Sequence, residues 1–441
     1  MKIKFLILSV IFSLGIGTAK AQEGKSLTLE QAVNLALTNS DEAKISASRV
    51  NTAKSEVQVT KNNQYPDFKI SGQYQYLTGA EIDFPAATAS TSEDPNAAPT
   101  PTPDVNQLLL GQANMSLPLF SGFKLKNAIE ASENMFLAAT LNAENDKEQI
   151  ALQTIKDYIN LYKAQKAINI IEENLKSANQ RVKDFSAMEE NGLLARNDLL
   201  KAQLQESNIQ LSLEEAKKNS NILNYKLNVM LKLPEDTTID TQDANFGTIT
   251  PANLVGEVSR NDVEALRFQA QAAENQIKMA KSNYYPSIAF VSGYTALDLN
   301  NALTVTNAIN VGVGLSYNLS DIFKTKSEVK VAQSKAEELQ HTLDMVSDKV
   351  KLQIENAKQD YQLALRKYEV YTKSEEQAIE NYRILKDKYD NGLTDTNDLL
   401  DADVDQLQAK MNLAYANADI TQKYYELLTA QGTLTNQFNN Q

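Results

Sequence analysis

Few residues in this chain are placed to do covalent or metal chemistry. There is one histidine, His341, and no cysteine, and His341 falls inside a long helical pattern, where a surface position accounts for it. No Cys/His cluster with metal-ligand spacing and no glycine-rich phosphate loop occurs, so the sequence points to no enzyme, no metal and no cofactor. The acidic residues say more. Asp398 and Asp401 stand three apart and share a helix face, directly after an Asn-Gly break. Helix capping by Asp398 and a solvated position for Asp401 account for them as a plain local feature.

That break is one of two. Glu190 to Ala202 reads ENGLLARNDLLKA, and Asp390 to Ala402 reads DNGLTDTNDLLDA, an offset of 200 residues. Glycine or asparagine ends a helix at little cost because it enters the left-handed region. Asn197 and Asp198, and again Asn397 and Asp398, are expected to accept the free amides of the helix that follows. Before the first turn, residues 124–189 contain neither proline nor glycine, enough for a helix of about 100 Å. Leu161, Ala164, Ile168, Ile171, Leu175, Ala178, Val182 and Phe185 recur at alternating steps of three and four, the seam of a coiled coil. After the turn Ile209, Leu213, Ala216, Leu223, Leu227 and Met230 continue in a similar register. Adding 200 to the first seam gives Tyr361, Ala364, Tyr368, Tyr371, Glu375, Ala378, Tyr382 and Leu385. The chain is an internal duplication of a long helical hairpin.

The duplication extends further upstream. Thr28 and Gln31 form a capping box for a helical pattern that runs to about Lys61 and stops before Tyr65-Pro66. A second such helix, from about Val255 to Lys281, leads into Tyr285-Pro286. Each Tyr-Pro introduces alternating segments. Phe68, Ile70, Gly72, Tyr74 and Tyr76 oppose Lys69, Ser71, Gln73 and Gln75; Ala113, Met115, Leu117 and Leu119 form the second such segment. Ile288, Phe290, Tyr294 and Ala296, then Ile309, Val311, Val313, Leu315, Tyr317 and Leu319, form the later pair. This period of two predicts strands at 67–76, 112–120, 287–296 and 309–319. An Ala/Thr/Ser/Pro-rich stretch between 77 and 110 reads as an exposed loop.

The ends and the bulk properties place the chain outside the cytoplasm. Lys2 and Lys4, an apolar run from Phe5 to Ile16 and Ala19-Lys20-Ala21 have the form of a cleavable secretion signal over 1–21. Gln22 follows it, so no lipidated cysteine is expected. The 441-residue chain carries a net charge of −13, which argues against a nucleic-acid partner. Past the signal no run approaches the ~18 apolar residues of a membrane helix, whereas a β-barrel hides its lipid face in alternation. Strands of about 10 residues are long enough to cross a bilayer. Four cannot close a barrel, and open edges are not tolerated in lipid, so several copies would have to share one. The resulting plan is a signal at 1–21, a first repeat at 22–231 with its hairpin turn near 191, and a connector at 232–254. A second repeat at 255–432, with its turn near 391, and a tail at 433–441 complete it.

The Leu-Thr-Leu-Glu-Gln-Ala-Val-x-Leu-Ala-Leu opening, the Tyr-Pro strands, Pro118-Leu119-Phe120-Ser121-Gly122 and the paired Asn-Gly-Leu turns resemble the TolC-like outer membrane efflux protein family over nearly the whole mature chain. The resemblance implies a mainly α protein with membrane β-strands. It would be a homotrimer whose helical hairpins form a periplasmic α-barrel continued by a shared 12-stranded β-barrel in outer membrane lipid. It further implies an outer membrane channel-tunnel of a tripartite efflux or type I secretion system, working with an inner membrane pump and a periplasmic adaptor (membrane fusion) protein. By match to the family's motifs, Asp398 and Asp401 would ring the periplasmic aperture, and Asp198 and Tyr389 would belong to the link that locks it. The family's arginine is replaced by Thr394, with Arg196 as a possible substitute. Asn191, Gly192, Leu193, Leu194, Asn391, Gly392, Leu393 and Thr394 are the corresponding candidates for adaptor docking. The competing readings are a periplasmic adaptor, which would carry one hairpin rather than two, and a coiled-coil structural protein of the envelope, which leaves the alternating segments without a role.

Overall fold

The computed structural model describes residues 25–79, 105–241 and 260–438. The signal segment, most of the Ala/Thr/Pro-rich stretch and residues 242–259 lie outside them. In chain order the elements are β1 (Lys25–Ser26), α1 (Leu29–Asn39), α2 (Asp41–Asn62), β2 (Asp67–Tyr76), β3 (Gln107–Phe120), α3 (Lys124–Glu190), α4 (Arg196–Leu231), β4 (Ile239–Asp240), α5 (Asn261–Lys281), β5 (Ser287–Leu299), β6 (Leu303–Ser316), α6 (Asp321–Asp390) and α7 (Thr396–Gln431). The described residues divide into two compact units, one from 25–44, 146–241 and 353–438, the other from 45–79, 105–145 and 260–352.

The first unit holds the hairpins. Along α3 the expected seam is buried at Leu161, Ala164, Ile171, Ala178 and Phe185, with Ile168, Leu175 and Val182 packed beside them. From α4, Ile209 and Leu213 close on it. Burying such a leucine, isoleucine or phenylalanine stabilises by about 1.5–3 kcal/mol. The second seam is looser: Tyr361 and Ala364 are buried, but Tyr368 is 37% exposed, because tyrosines and Glu375 replace aliphatics at its core positions. A larger core gathers Leu27, Val33, Ile155, Tyr158, Leu227 and Leu427. Tyr158 Oη donates to the carbonyl of Leu27 at 2.7 Å, beside a short parallel pairing of β1 with β4.

Two local expectations change in this unit. The first helix is not continuous, because Ser40 is extended (ψ 152°) between α1 and α2, fully buried, and its hydroxyl accepts from the Ala43 amide. The Asn-Asp pairs are not N-caps. Ala195 precedes α4 without a side-chain cap, and Asp395 caps α7 by accepting from the amides of Asn397 and Asp398. Asp198 and Asp398 instead sit in the first turn, where the helix dipole favours a carboxylate. Within the expected tail, residues 433–438 are packed onto this unit. Leu434 is fully buried, and the buried Glu148 carboxylate accepts from the amides of Leu434 and Thr435, both at 2.9 Å.

The second unit contains one antiparallel sheet in the order β2-β3-β5-β6. Its register puts Phe68 opposite Met115, Leu117 opposite Phe290, and Phe290 opposite Val313. Directly paired residues lie on the same face, so the alternating apolar positions of all four strands make one continuous surface. Among the described residues nothing covers its outer positions: Ile70 is 87% exposed, Ile309 74% and Leu315 70%. The other face is polar near the helices, where Gly293 leaves room for the amide side chains of Asn114 and Asn310. At the far end it turns apolar, with Leu110 opposite Leu297 and Leu297 opposite Val305.

β2 matches its expected span, and the other three strands differ in length. β3 starts at Gln107 rather than 112, because Leu108-Leu109-Leu110 breaks alternation yet pairs in full. β5 runs on to Leu299 rather than 296, and β6 covers Leu303–Ser316 rather than 309–319. Asn318 turns the chain out of the ladder by bonding the Ser320 amide and the Asp321 carboxylate. At the helix-facing end, Gly122 (φ 62°) and Phe123 (φ 67°) are both left-handed. A Cβ on Gly122 would lie 2.5 Å from the Ser282 carbonyl oxygen, which ties the turn before α3 to the end of α5.

Candidate functional site at the hairpin turns

Both turns are built alike. Gly192 and Gly392 each take φ 71°. Leu193 N–H donates to the Met188 carbonyl and Gly192 N–H to that of Glu189; Leu393 and Gly392 repeat this with Lys388 and Tyr389. These are Schellman closures, in which glycine satisfies the last carbonyls of a helix. Asn191 and Asn391 add side-chain bonds to the carbonyls of Ala187 and Asp387, each at 2.6 Å. With backbone and asparagines spent internally, the apex of each turn offers an apolar side chain to solvent: Leu193 is 75% and Leu393 76% exposed. Leu194 packs inward, against the cluster of Phe185, Leu199 and Ala202.

The structure brings the two turns together through aromatic stacking. Tyr389 stacks on Phe185 with ring centroids 5.5 Å apart. Burial raises the Tyr389 phenol above its ordinary pKa; the Thr396 hydroxyl opposes the rise and the Asp198 charge adds to it. No hydrogen bond joins Tyr389 to Asp198 within the chain. Asp198 pairs instead with Lys201 at 3.4 Å, and Arg196 with Glu189 across the base of its own turn at 3.3 Å. Thr394 Oγ1 donates to the Asp398 carboxylate. Asp398 and Asp401 are both exposed, flanking the buried positions Leu399 and Ala402 along α7.

A stronger polar link lies a few turns further in, and sequence reasoning missed it. The Arg181 guanidinium on α3 donates to Asp403 on α7 at 3.1 Å and to the Tyr382 hydroxyl on α6 at 3.2 Å. The two charged side chains are 8% and 3% exposed, and Asn174 completes the group with a longer contact to Asp403 at 3.4 Å. Burial pulls the guanidinium toward neutrality, but the hydrogen bond and charge of Asp403, with Tyr382, outweigh it and raise its pKa. One signal could have found this link. The duplication puts Asn381 where Arg181 stands and Gln203 where Asp403 stands, so the pair is a charge difference between otherwise matching repeats.

Among the described residues no group of His, Cys, Asp and Glu could hold a metal ion, and no helix is long and apolar enough to cross a membrane. Among the described residues, the turns present exposed apexes above a buried ionic clasp between the hairpins, and the sheet presents an apolar face to solvent.

Comparison with known proteins agrees. Residues 32–230 and 257–433 match the family model for outer membrane efflux proteins, which breaks where the two repeats meet. The outer membrane efflux protein BepC of Brucella suis is 22% identical over 324 residues, 72% of this chain and 70% of that protein. The fold is shared with the outer membrane protein VceC of Vibrio cholerae (TM-score 0.76, 16% identity, 92% of this chain and 96% of that one). It is also shared with the CmeC outer membrane channel of Campylobacter jejuni (TM-score 0.74, 17% identity, 92% and 86%). Two duplicated hairpins, a four-stranded sheet per chain that fits a shared barrel, and a family match over most of the sequence lead to one conclusion: this chain belongs to the outer membrane efflux protein family.

Proposed function

We propose that the protein is the outer membrane duct of a tripartite efflux or type I secretion system, assembled as a homotrimer. The observation that carries this is the uncovered apolar face of the sheet, bounded by two open edges. Among the described residues β2 and β6 each pair on one side only, and in lipid an unpaired edge costs several kcal/mol per amide. Three copies joined edge to edge would give twelve strands, a closed wall with that face toward lipid and the helices in the periplasm. After export and cleavage behind Ala21, Gln22 would begin the mature chain without a lipid anchor.

The turns are then the inner mouth. Asp398 and Asp401 from three copies form two acidic rings that favour cations, and Leu193 and Leu393, with Asn191, Gly192, Leu194, Asn391, Gly392 and Thr394, are the docking points for a periplasmic adaptor and its inner membrane pump. Asp198 and Tyr389, with Arg196, act in closing the mouth between hairpins. Planar-bilayer recording of the detergent-purified mature protein tests the whole reading: discrete cation-preferring channels are expected, and a water-soluble monomer that never conducts overturns it. Asp198→Ala with Tyr389→Phe should raise single-channel conductance; an unchanged value removes these residues from the lock. Asp398→Asn with Asp401→Asn should weaken cation preference.

A further inference from the structure

The end of the sheet nearest the helices combines an apolar cleft with unspent positive charge. A cleft of about 410 Å³ opens between the end of β3 and the first turns of α3, walled by Leu119, Phe120, Phe123 and Ile129. Phe120 pairs with Ile288 after a bulge, so it belongs to the uncovered apolar face. Phe123 is held in the left-handed conformation, 56% exposed, and packs edge-on against Phe120 and Tyr285 at 5.3 and 6.3 Å. Lys126 and Glu130 sit at the edge of the cleft. Their charged atoms are 3.9 Å apart and the lysine is 73% exposed, too loose a pair to neutralise it. Lys124, Lys324 and Lys326 are exposed, and none has a carboxylate within ion-pair distance among the described residues. The duplication repeats the exposed phenylalanine and its lysines, since Lys324 and Lys326 follow Phe323, which is 82% exposed. Around them the chain as a whole is acidic, with a net charge of −13.

A cleft with phenylalanine and isoleucine walls and the Lys126 ammonium at its edge, beside the exposed Lys124 and on an otherwise acidic protein, selects a molecule that is apolar at one end and anionic at the other. We propose that this rim binds anionic phospholipid, an acyl chain lying in the cleft along Phe120, Phe123 and Ile129 and the headgroup phosphate held by Lys126 and Lys124. Lys324 and Lys326 supply the same charge beside Phe323. The proposal rests on the reading of the sheet as a membrane wall, and it deepens that reading by naming the lipid the wall's periplasmic rim prefers. The basic residues attract the phosphate, the aromatic rings sit at headgroup depth, and Glu130 keeps the mouth from accepting a fully dianionic group as readily as a diester.

The test uses the full mature protein. Wild type and the variant Lys124→Gln/Lys126→Gln/Lys324→Gln/Lys326→Gln are reconstituted into phosphatidylcholine vesicles and into equal mixtures of phosphatidylcholine and phosphatidylglycerol. Lipid retained after detergent extraction is then measured by native mass spectrometry. Wild type should retain phosphatidylglycerol over phosphatidylcholine. Each lysine near an anionic surface is worth about fivefold, so the variant should lose at least tenfold of that preference. Ile129→Trp, which fills the cleft, should lower retention of both lipids. A wild type with no preference, or a variant that keeps it, overturns the lipid site. Failure to insert into phosphatidylcholine alone would instead overturn the membrane reading, so the two failures are distinct.

Discussion

Removing Asp403 strands a buried guanidinium. In Asp403→Ala, Arg181 would keep its bond to Tyr382 but lose the carboxylate that offsets its burial, at 8% exposure for the arginine and 3% for the aspartate. Truncating one member of a buried ion pair costs about 3–5 kcal/mol. The lower bound applies here, because Tyr382 remains and the seam beside it is only half-buried. A local cost of about 3 kcal/mol is roughly a hundredfold in an opening equilibrium. Hydrogen exchange of the detergent-solubilised protein should therefore show amides at 175–190 and 396–408 exchanging up to about a hundredfold faster, with the distant core around Tyr158 unaffected. Two controls fix the interpretation. Glu189→Ala breaks the exposed pair with Arg196, which is 73% exposed, and should change exchange by less than about threefold. Arg181→Met with Asp403→Leu removes both charges and should recover most of the protection. If Asp403→Ala were no worse than Glu189→Ala, the clasp would not hold the hairpins together.

Two other perturbations follow from the geometry. Burial, helped by the charge of Asp240, pushes the Tyr158 phenol up to about 12 from its ordinary value near 10. A group raised on folding gives stability that is complete below its unfolded pKa and lost as pH climbs through the folded one, so the thermal midpoint should fall between about pH 10 and 12. Tyr158→Phe should flatten that fall, while costing about 1 kcal/mol near neutrality for the lost bond to Leu27; an unchanged alkaline slope would refute the assignment. Gly122→Ala should destabilise far more than Gly192→Ala. Both positions are left-handed, which costs about 1–2 kcal/mol for alanine, but only at 122 does the new methyl meet backbone at 2.5 Å, whereas at 192 nothing lies within 4 Å. Equal shifts in unfolding midpoint for the two would contradict the close packing of that turn on Ser282.

What could be read without coordinates was whatever repeats or whatever one residue type alone can do. The seam from Leu161 to Phe185 was legible because a spacing of three and four belongs to one helix face, and Gly192 and Gly392 because few residues turn left-handed cheaply. The apolar face at Ile70, Ile309 and Val313 was legible because a strand alternates by geometry. Features that depend on non-local partners were hidden. Leu108-Leu109-Leu110 breaks alternation, since its even-numbered residues pair with Leu297 and Leu299 on the opposite face. Ser40 breaks a helix that its neighbours would continue, and its effect comes from burial. Arg181 and Asp403 lie 222 residues apart, and nothing local in either segment announces the other. At the second turn Asp395, two residues ahead of the Asn-Asp pair, took the capping role expected of it, and at the first turn Ala195 in the same place has no side chain to do so.

The two raw borders of the sheet carry a consequence for how the protein is made. Among the described residues β2 and β6 each lack a neighbour on one side, so in the proposed membrane wall one chain would have no finished state of its own, and maturation would wait on encounters between siblings and slow steeply when synthesis is sparse. A chain with one border blocked, for example by a proline set into β6, could still offer the other. It would enter rings it cannot complete, and co-expressed with normal copies it would spoil most of the pores that form.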